Sequence, residues 1–222
     1  MNDELTTPES ISATDHWNQR YAEKDRIWSG RPNTALVSAL AEHAPGTALD
    51  VGCGEGGDAV WLAQQGWNVT GIDVSTTALE RAQQAADARG LNSLTAWKQV
   101  DLTYESPEGL FDLVSAVFLQ SQIEFPREDV HRKLTENVAP GGLFLVVGHA
   151  EWPPWARNAA QNLEHDHELP QLPSAAESLA FLELAQNEWQ VLTCADQSRT
   201  ATGPDGNQAE LIDAVVLVRR IA

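Results

Sequence analysis

The arrangement of apolar residues along the chain predicts alternating strands and helices. Short apolar runs predict strands at residues 48–51, 67–72, 94–100, 111–118 and 143–148. Between these runs, apolar residues recur at the spacing of helices, and Gly or Pro follows most of the helical stretches. Strands that alternate with helices predict a parallel sheet with helices on both faces, which is an α/β fold.

Two helices have boundaries that local residues predict. Thr14 or Asp15 is expected to cap the first helix, because both side chains can accept a hydrogen bond from the first turn. A later helix is expected to start at Pro126 and to run through Val138. The Pro-Gly-Gly sequence at 140–142 is expected to end it.

The last third of the chain departs from this rhythm. Residues 150–173 contain four prolines and no clear period, so they are predicted to be an irregular insert. Two further apolar runs, 189–194 and 211–218, predict strands around a turn at 203–206, and hence a final antiparallel hairpin.

The domain organisation that follows is simple. One domain is expected over residues 15–222, after a flexible N-terminus at 1–14. Within the domain, residues 15–45 are expected to supply N-terminal helices and a possible lid.

A glycine-rich turn at 52–57 separates the first strand from the next helix, where free backbone N–H groups favour a bound nucleotide or nucleoside. Its spacing satisfies the dinucleotide fingerprint, with Asp73 about twenty residues further on. However, three acids lie in or beside the turn, Asp50, Glu55 and Asp58, and no Lys or Arg is expected nearby. These carboxylates disfavour a pyrophosphate and favour a ligand with positive charge, such as the ammonium and sulfonium of S-adenosylmethionine.

The residues Leu49-Asp50-Val51-Gly52-Cys53-Gly54-Glu55-Gly56 resemble the signature of class I S-adenosylmethionine-dependent methyltransferases. The resemblance extends from Trp17 to the last strand and is most specific over residues 49–101. The N-terminal region also resembles that of small bacterial enzymes of the tellurite-resistance and thiopurine methyltransferase groups. The shared residues are, in order, Trp17, Arg20-Tyr21, Trp28-Ser29-Gly30 and Pro32-Asn33. The resemblance to class I methyltransferases implies a Rossmann-like, doubly wound fold, with a seven-stranded, mostly parallel sheet and an antiparallel C-terminal strand.

The resemblance also implies a set of cofactor contacts. Asp73 would accept the ribose hydroxyls, and Asp50 would contact the methionine ammonium. Asp101 would accept the adenine amino group, with the Leu102 backbone beside it. The remaining expected cofactor residues are Gly52, Gly54, Gly56, Val74 and Phe118, together with Trp28 and Arg31 of the possible lid, where Arg31 would reach a carboxylate.

Three of these assignments have structural alternatives. Asp73 could cap the following helix, although Ser75 can supply that cap instead. Asp101 could be an ordinary turn residue, and Trp28 could simply fill the edge of the core. Asp112 is expected to have a structural role.

Catalysis of methyl transfer depends mainly on the proximity and orientation of the reactants and on the exclusion of water. A thiol or metalloid acceptor would need no general base, whereas an oxygen acceptor would. His149 is the candidate base, with Glu151 next; the alternative for His149 is a hydrogen bond to backbone. Trp152 and Trp155 could form an aromatic wall for the acceptor or pack the insert. The His-Asp-His-Glu sequence at 165–168 is weak evidence for a metal, and none is expected.

Charge and composition restrict the partners. The 222 residues carry 32 acids against 14 bases, a formal net charge of −18, which disfavours a nucleic-acid substrate. No apolar run is long enough to cross a bilayer and no secretory signal is evident, so no membrane partner and a cytoplasmic location are expected. A small-molecule methyl acceptor is expected, with a possible homodimer. The alternatives are an NAD-dependent oxidoreductase and a non-catalytic S-adenosylmethionine-binding regulatory protein.

Overall fold

A computed structural model describes residues 11–121, 123–161, 169, 171–203 and 206–221. Its strands form a single seven-stranded sheet in the order β3-β2-β1-β4-β5-β7-β6. The strands are β1 Thr47–Val51, β2 Asn68–Asp73, β3 Thr95–Gln99, β4 Phe111–Val117, β5 Val138–His149, β6 Trp189–Thr202 and β7 Gln208–Arg220.

The direction of the strands confirms the predicted fold. The pairs from β3 to β5 are parallel, whereas β7 runs antiparallel to both of its neighbours, β5 and β6. The strand order reverses between β1 and β4, so the crevice outside the carboxyl ends of these strands is where a ligand of a doubly wound fold is expected. The helices are α1 Ala13–Ala22, α2 Thr34–Ala39, α3 Gly57–Gln64, α4 Thr76–Asp87, α5 Arg127–Leu134, α6 Pro154–Gln161 and α7 Ala175–Phe181.

The central strands are buried on both faces, which explains their nearly continuous apolar sequence. Alternate residues of β4 belong to different core clusters: Val114 packs on the face covered by α5 and α7, and Leu113 on the face covered by α2 and α3. Phe144 and Leu145 divide in the same way on β5. The sheet therefore stands between two helical layers and holds the carboxyl ends of β1, β2 and β4 side by side.

Several predicted boundaries were wrong for physical reasons. Ser12, not Thr14 or Asp15, caps α1, and its side chain accepts a hydrogen bond of 3.0 Å from the Asp15 N–H. α5 continues as a 3-10 helix over Thr135–Asn137, so the helical stretch ends one residue before the predicted Val138. The Pro-Gly-Gly sequence at 140–142 does not end this helix but lies inside β5, where pairing with β4 is irregular.

The last third is more ordered than the pattern predicted. The helix α6 lies within the stretch 150–173, which was expected to be irregular. The predicted hairpin is present, but β6 and β7 both extend well beyond their apolar runs. β6 is an edge strand with mostly exposed or half-buried side chains, so no apolar alternation marks its second half.

Candidate functional site

The glycine loop adopts a backbone that requires glycine. Gly52, Gly54 and Gly56 have positive φ angles of 65°, 53° and 78°, in the left-handed region that other residues avoid. A Cβ at Gly52 would also lie 2.6 Å from the Leu119 side chain, and one at Gly54 would lie 2.9 Å from the Tyr21 hydroxyl. The glycines thus serve the turn and its packing, and their contact with a cofactor stays a prediction.

Asp73 ends β2 beside this loop. One carboxylate oxygen accepts a hydrogen bond of 2.9 Å from the Gly54 N–H, and the other accepts one of 2.8 Å from the Ser75 N–H. Burial raises the pKa of Asp73, and these N–H groups partly offset the rise. Ser75, not Asp73, caps α4, because its hydroxyl accepts a bond from the Ala78 N–H. The carboxylate therefore faces the loop, as a ribose-binding acid would.

Asp101 follows β3, the next strand in the sheet. Its carboxylate accepts a 3.0 Å hydrogen bond from the Thr103 N–H, which is the turn role weighed as the alternative. The Val100 N–H donates to the Asp73 carbonyl oxygen at 3.0 Å, so the ends of β2 and β3 stay together. Leu102 packs against the core beside them, and the Val74 carbonyl oxygen accepts from the Gln99 side chain. The predicted ribose and adenine residues thus lie on adjoining strand ends.

Asp50 lies within β1 and is only 2% exposed. The Ser115 hydroxyl donates to one of its carboxylate oxygens at 3.1 Å, while the other oxygen makes no hydrogen bond of ordinary geometry among the described residues. Burial, together with the nearby carboxylate of Asp58, raises the pKa of Asp50 well above its usual value. The Ala59 N–H nevertheless lies near enough to the carboxyl group to offset part of this rise in pKa. A buried carboxylate oxygen without a donor is costly, and an ammonium group would satisfy it.

The premise that no base lies near the glycine loop was wrong. Glu55, 4% exposed, forms an ion pair of 2.8 Å with Arg81 of α4. The same carboxylate accepts hydrogen bonds from the N–H groups of Ile27 and Trp28, at 3.1 and 2.9 Å. Glu55 therefore has a cationic partner, so of the three acids at the loop, those without an ion pair among the described residues are Asp50 and Asp58.

Asp58, in the first turn of α3, holds the other end of the same segment. It accepts a 2.6 Å hydrogen bond from the Asn33 N–H, and Asn33 in turn caps α2. Burial raises the pKa of Asp58 to about 6. We call residues 27–33 the lid segment, because Glu55 and Asp58 fasten its two ends across the glycine loop.

The two predicted lid residues differ in what they contact. The Trp28 indole N–H donates to the Tyr21 hydroxyl at 3.0 Å, and its ring lies beside Gly54, although 53% of the residue is exposed. Trp28 therefore covers the loop and does not fill the core edge. Arg31 presents its carbonyl oxygen to Gly57, but its side chain is exposed and pairs with no carboxylate of the described residues. A contact of Arg31 with a carboxylate of the cofactor stays a prediction.

Phe118 follows β4 and has a positive φ of 53°, which is rare for a side chain of this size. Its ring centroid lies 4.5 Å from that of His149, at the end of β5. The neighbouring Leu119 touches the glycine loop at Gly52. Phe118 therefore follows the strand next to β1, and His149 ends the next strand along. A contact of Phe118 with the cofactor stays a prediction.

His149 is bound by a carboxylate, not by backbone as the alternative supposed. Its Nδ1 lies 2.9 Å from an oxygen of Asp213, a 3% exposed residue of β7. Arg199 of β6 donates from Nε to the other oxygen of Asp213, and its guanidinium lies 5.5 Å from the centroid of the Phe118 ring. Burial raises the pKa of Asp213, but the bonds from His149 and Arg199 outweigh it and hold that pKa below the usual value.

Sequence reasoning did not find Asp213 or Arg199. The available signal was one acid, Asp213, in the otherwise apolar run 211–218, since a charge in a buried strand needs a partner.

Of the other candidates, Glu151 is exposed and lies 3.9 Å from Arg157. Asp112 binds the Thr47 N–H and hydroxyl at the opposite edge of the sheet, in agreement with a structural role.

A small pocket, partly open to solvent, adjoins His149. It lies between β5, α5 and α7, and its lining includes Gln120, Arg127, His131 and Phe181.

The weak metal candidate at 165–168 falls outside the described residues. Within them, no group of His, Cys, Asp or Glu side chains could hold a metal ion. No helix in the described part of the chain could cross a membrane.

Fold and site together define a Rossmann-like α/β protein with a glycine loop and with acids at or beside the carboxyl ends of β1, β2 and β3, namely Asp50, Asp73 and Asp101. Comparison with known proteins agrees, since residues 48–142 match the family model of a methyltransferase domain. A structure solved for the conversion of a disulfide bond into a thioacetal group during echinomycin biosynthesis has a TM-score of 0.72 and 25% identity, and the match covers 93% of this chain and 92% of that one.

Two curated relatives are similar over part of their length. The 2-heptyl-1-hydroxyquinolin-4(1H)-one methyltransferase of Mycobacteroides abscessus is 31% identical, over 57% of this chain and 58% of that protein. The ribosomal RNA small subunit methyltransferase C of Alcanivorax borkumensis is 29% identical, over 53% of this chain and 38% of that protein. The chain thus spans about half the length of the curated relatives it matches. These matches agree with the predicted resemblance to class I S-adenosylmethionine-dependent methyltransferases, and they indicate S-adenosylmethionine as the cofactor.

Proposed function

We propose that this protein transfers the methyl group of S-adenosylmethionine to a small molecule. The observation that carries the proposal is the placement of Asp73, whose carboxylate meets the Gly54 N–H where the glycine loop faces the end of β2. A ribose bound there would find a carboxylate fixed on one side and free backbone of the loop on the other. Asp101 and Leu102, on the next strand end, are proposed to receive the adenine.

The acidic residues at the glycine loop favour binding of the methionine part of S-adenosylmethionine there, because that part carries an ammonium group. The Asp50 oxygen that makes no hydrogen bond of ordinary geometry among the described residues is proposed to accept a hydrogen bond from the ammonium, directly or through water. Asp58 adds a second buried carboxylate nearby. Because Glu55 is paired with Arg81, only Asp50 and Asp58 of the three acids are proposed to disfavour a pyrophosphate at the loop. Trp28, held over Gly54, is proposed to cover the cofactor.

A small acceptor fits the overall charge better than a nucleic acid. The formal net charge of −18 opposes the approach of a phosphate backbone, because nucleic-acid affinity depends on Lys and Arg that neutralise phosphates. One similar protein methylates ribosomal RNA by name, but the match covers only 38% of it. The hydroxyquinolone relative offers a small acceptor as the model for this chain.

The acceptor is proposed to bind beside Phe118 and His149. Phe118 follows β4 and His149 ends β5, and Leu119, next to Phe118, contacts Gly52 of the glycine loop. His149 is proposed as the general base for an acceptor that must lose a proton.

Calorimetry with S-adenosylmethionine, S-adenosylhomocysteine and NAD tests the cofactor. We expect both adenosyl compounds to bind and NAD not to bind; binding of NAD alone would overturn the proposal. Transfer of a deuterated methyl group, followed by mass spectrometry over a panel of hydroxyl, thiol, amine and metalloid acceptors, then separates an enzyme from a non-catalytic binding protein. Cofactor binding without transfer to any acceptor would favour the binding protein.

A further inference from the structure

The His149 ring is held more firmly than a side chain at the end of a strand requires. Asp213 binds its Nδ1 from β7, and the Phe118 ring lies against it from the end of β4. Arg199 occupies the second oxygen of Asp213 and lies over Phe118, which closes a cycle of four side chains. With Nδ1 donating to a carboxylate, the neutral ring keeps its lone pair on Nε2, which is the state a base needs.

The left-handed backbone at Phe118 is a second, independent observation. Such a conformation costs energy in a residue with a bulky side chain, and it persists where surrounding contacts enforce it. Here it accompanies the contact of the ring with His149, while Leu119 reaches Gly52 of the glycine loop. The strained residue therefore joins the cofactor loop to the histidine cluster.

The pocket beside His149 contains buried polar atoms that lack a protein partner. Gln120 and His131 both line it, and the buried Nε2 atom of each has no hydrogen-bond partner among the described residues. Burial, with a smaller contribution from Arg127, lowers the pKa of His131 to about 4, so this imidazole is neutral. Buried polar groups of this kind are satisfied by a ligand or by water. A polar acceptor in the pocket would therefore lie beside a neutral imidazole and an amide as well as His149.

We propose that Asp213 and Arg199 position His149 as the general base for a hydroxyl acceptor, which binds in the pocket lined by Gln120 and His131. This inference rests on the proposed function and narrows its acceptor to weakly acidic hydroxyl compounds such as phenols and enols. A thiol acceptor ionises readily in water, so it would not need the Asp213–His149 pair as a general base.

The chemical step balances without a further reagent. The acceptor oxygen forms a bond to the methyl carbon while its proton passes to Nε2 of His149. The bond between that carbon and sulfur breaks, and its electron pair stays on sulfur, so the sulfonium becomes the neutral thioether of S-adenosylhomocysteine. The imidazolium, stabilised by the Asp213 carboxylate, then releases the proton to solvent.

The charged and titratable groups that face His149 come from several elements. Asp213 and Arg199 face it from β7 and β6, and the pocket lining adds Arg127, Glu128 and His131 from α5. Asp213 alone among these makes a hydrogen bond to the ring. The pH dependence assigned to His149 should therefore respond most strongly to Asp213.

The experiment compares acceptors that differ in one atom. Full-length protein is incubated with deuterated-methyl S-adenosylmethionine and a panel of phenols, enols and heteroaryl hydroxyl compounds, each with its matched thiol and amine. The variants are His149→Ala, Asp213→Asn and Arg199→Lys, with His43→Gln as a control on a histidine outside the pocket. Calorimetric binding of S-adenosylhomocysteine to each variant shows whether the cofactor site is intact.

We expect hydroxyl acceptors to be methylated, and His149→Ala to lower their kcat/KM by about 10²- to 10⁴-fold while thiols are little affected. Asp213→Asn should lower it by at least about 10-fold, because an amide can hold the ring in the wrong tautomer. It should also move the acid limb of the kcat/KM profile to lower pH, which loss of packing alone would not do. Arg199→Lys should have a smaller effect of the same kind.

Other results would overturn the inference. These are equal loss for matched hydroxyl and thiol acceptors in His149→Ala, an unmoved acid limb in Asp213→Asn, or transfer to no hydroxyl compound by protein that binds S-adenosylhomocysteine. Failure to bind that cofactor at all would instead reject the proposed function.

Discussion

Replacement of Glu55 by Gln should loosen the lid segment and destabilise the fold. The carboxylate is 4% exposed and accepts bonds from Arg81 and from the N–H groups of Ile27 and Trp28. The amide of Gln keeps one acceptor oxygen but leaves the Arg81 guanidinium without its counter-charge. Loss of one partner from a buried ion pair costs about 3–5 kcal/mol.

Arg81 keeps some solvent access, because 22% of its side chain is exposed. It also donates to the Tyr21 carbonyl oxygen at 2.8 Å, so it does not become wholly unpaired. We therefore expect a loss of about 2–4 kcal/mol in the free energy of unfolding for Glu55→Gln. With a typical urea slope, this corresponds to a fall of about 1–2 M in the unfolding midpoint.

The assay is urea denaturation of the wild type, Glu55→Gln, Arg81→Gln and the double variant. Because the two side chains interact directly, the double variant should lose less than the sum of the single losses, by at least about 1 kcal/mol. Strictly additive losses, or a loss below about 1 kcal/mol for Glu55→Gln, would refute the reasoning that this pair secures the lid segment.

Three further predictions concern stability. The pKa of Asp58 rises from 3.8 to about 6 on folding, so the folded protein holds a proton that the unfolded chain has released, and stability from this group is lost as pH rises through that window. Asp58→Asn should therefore reduce the fall in stability between mildly acidic and neutral pH, by at most about 3 kcal/mol, and an unchanged pH slope in denaturation would contradict this. Gly71→Ala should cost about 1–3 kcal/mol, because the new Cβ would lie 2.5 Å from the Trp97 ring; a melting temperature equal to that of the wild type would be evidence against that contact. Ser174→Ala removes a capping box with Glu177 and should cost about 1 kcal/mol in urea denaturation. Ser38→Ala, at an exposed position inside α2, is the matched control, and equal midpoints for the two serine variants would argue against the cap.

The sequence predicted the parts of the fold that local pattern determines. Residues 111–118 and 143–148 are apolar because β4 and β5 are covered on both faces, and that burial leaves a signal in every position. The second half of β6 gives no such signal, because an edge strand with exposed side chains can tolerate almost any polar residue.

In the candidate site too, local features could be predicted from the sequence, whereas contacts between distant residues could not. The glycine loop and Asp73 could be recognised, because tight turns and strand ends restrict residue type locally. The pairing of Glu55 with Arg81 could not, since the two residues lie 26 positions apart and meet only when α4 packs beside the loop. Asp213 is farther still from His149, at 64 positions, and an antiparallel register brings them together.

The most direct test of the account is the affinity for S-adenosylhomocysteine, measured by calorimetry on the wild type, Asp73→Ala and a control, Asp112→Ala. Both acids accept hydrogen bonds from backbone, but Asp112 lies at the opposite edge of the sheet from the proposed cofactor. We predict binding by the wild type, a loss of about 1–3 kcal/mol for Asp73→Ala, and little change for the control. Absence of binding by the wild type, or equal affinities for Asp73→Ala and the wild type, would contradict it.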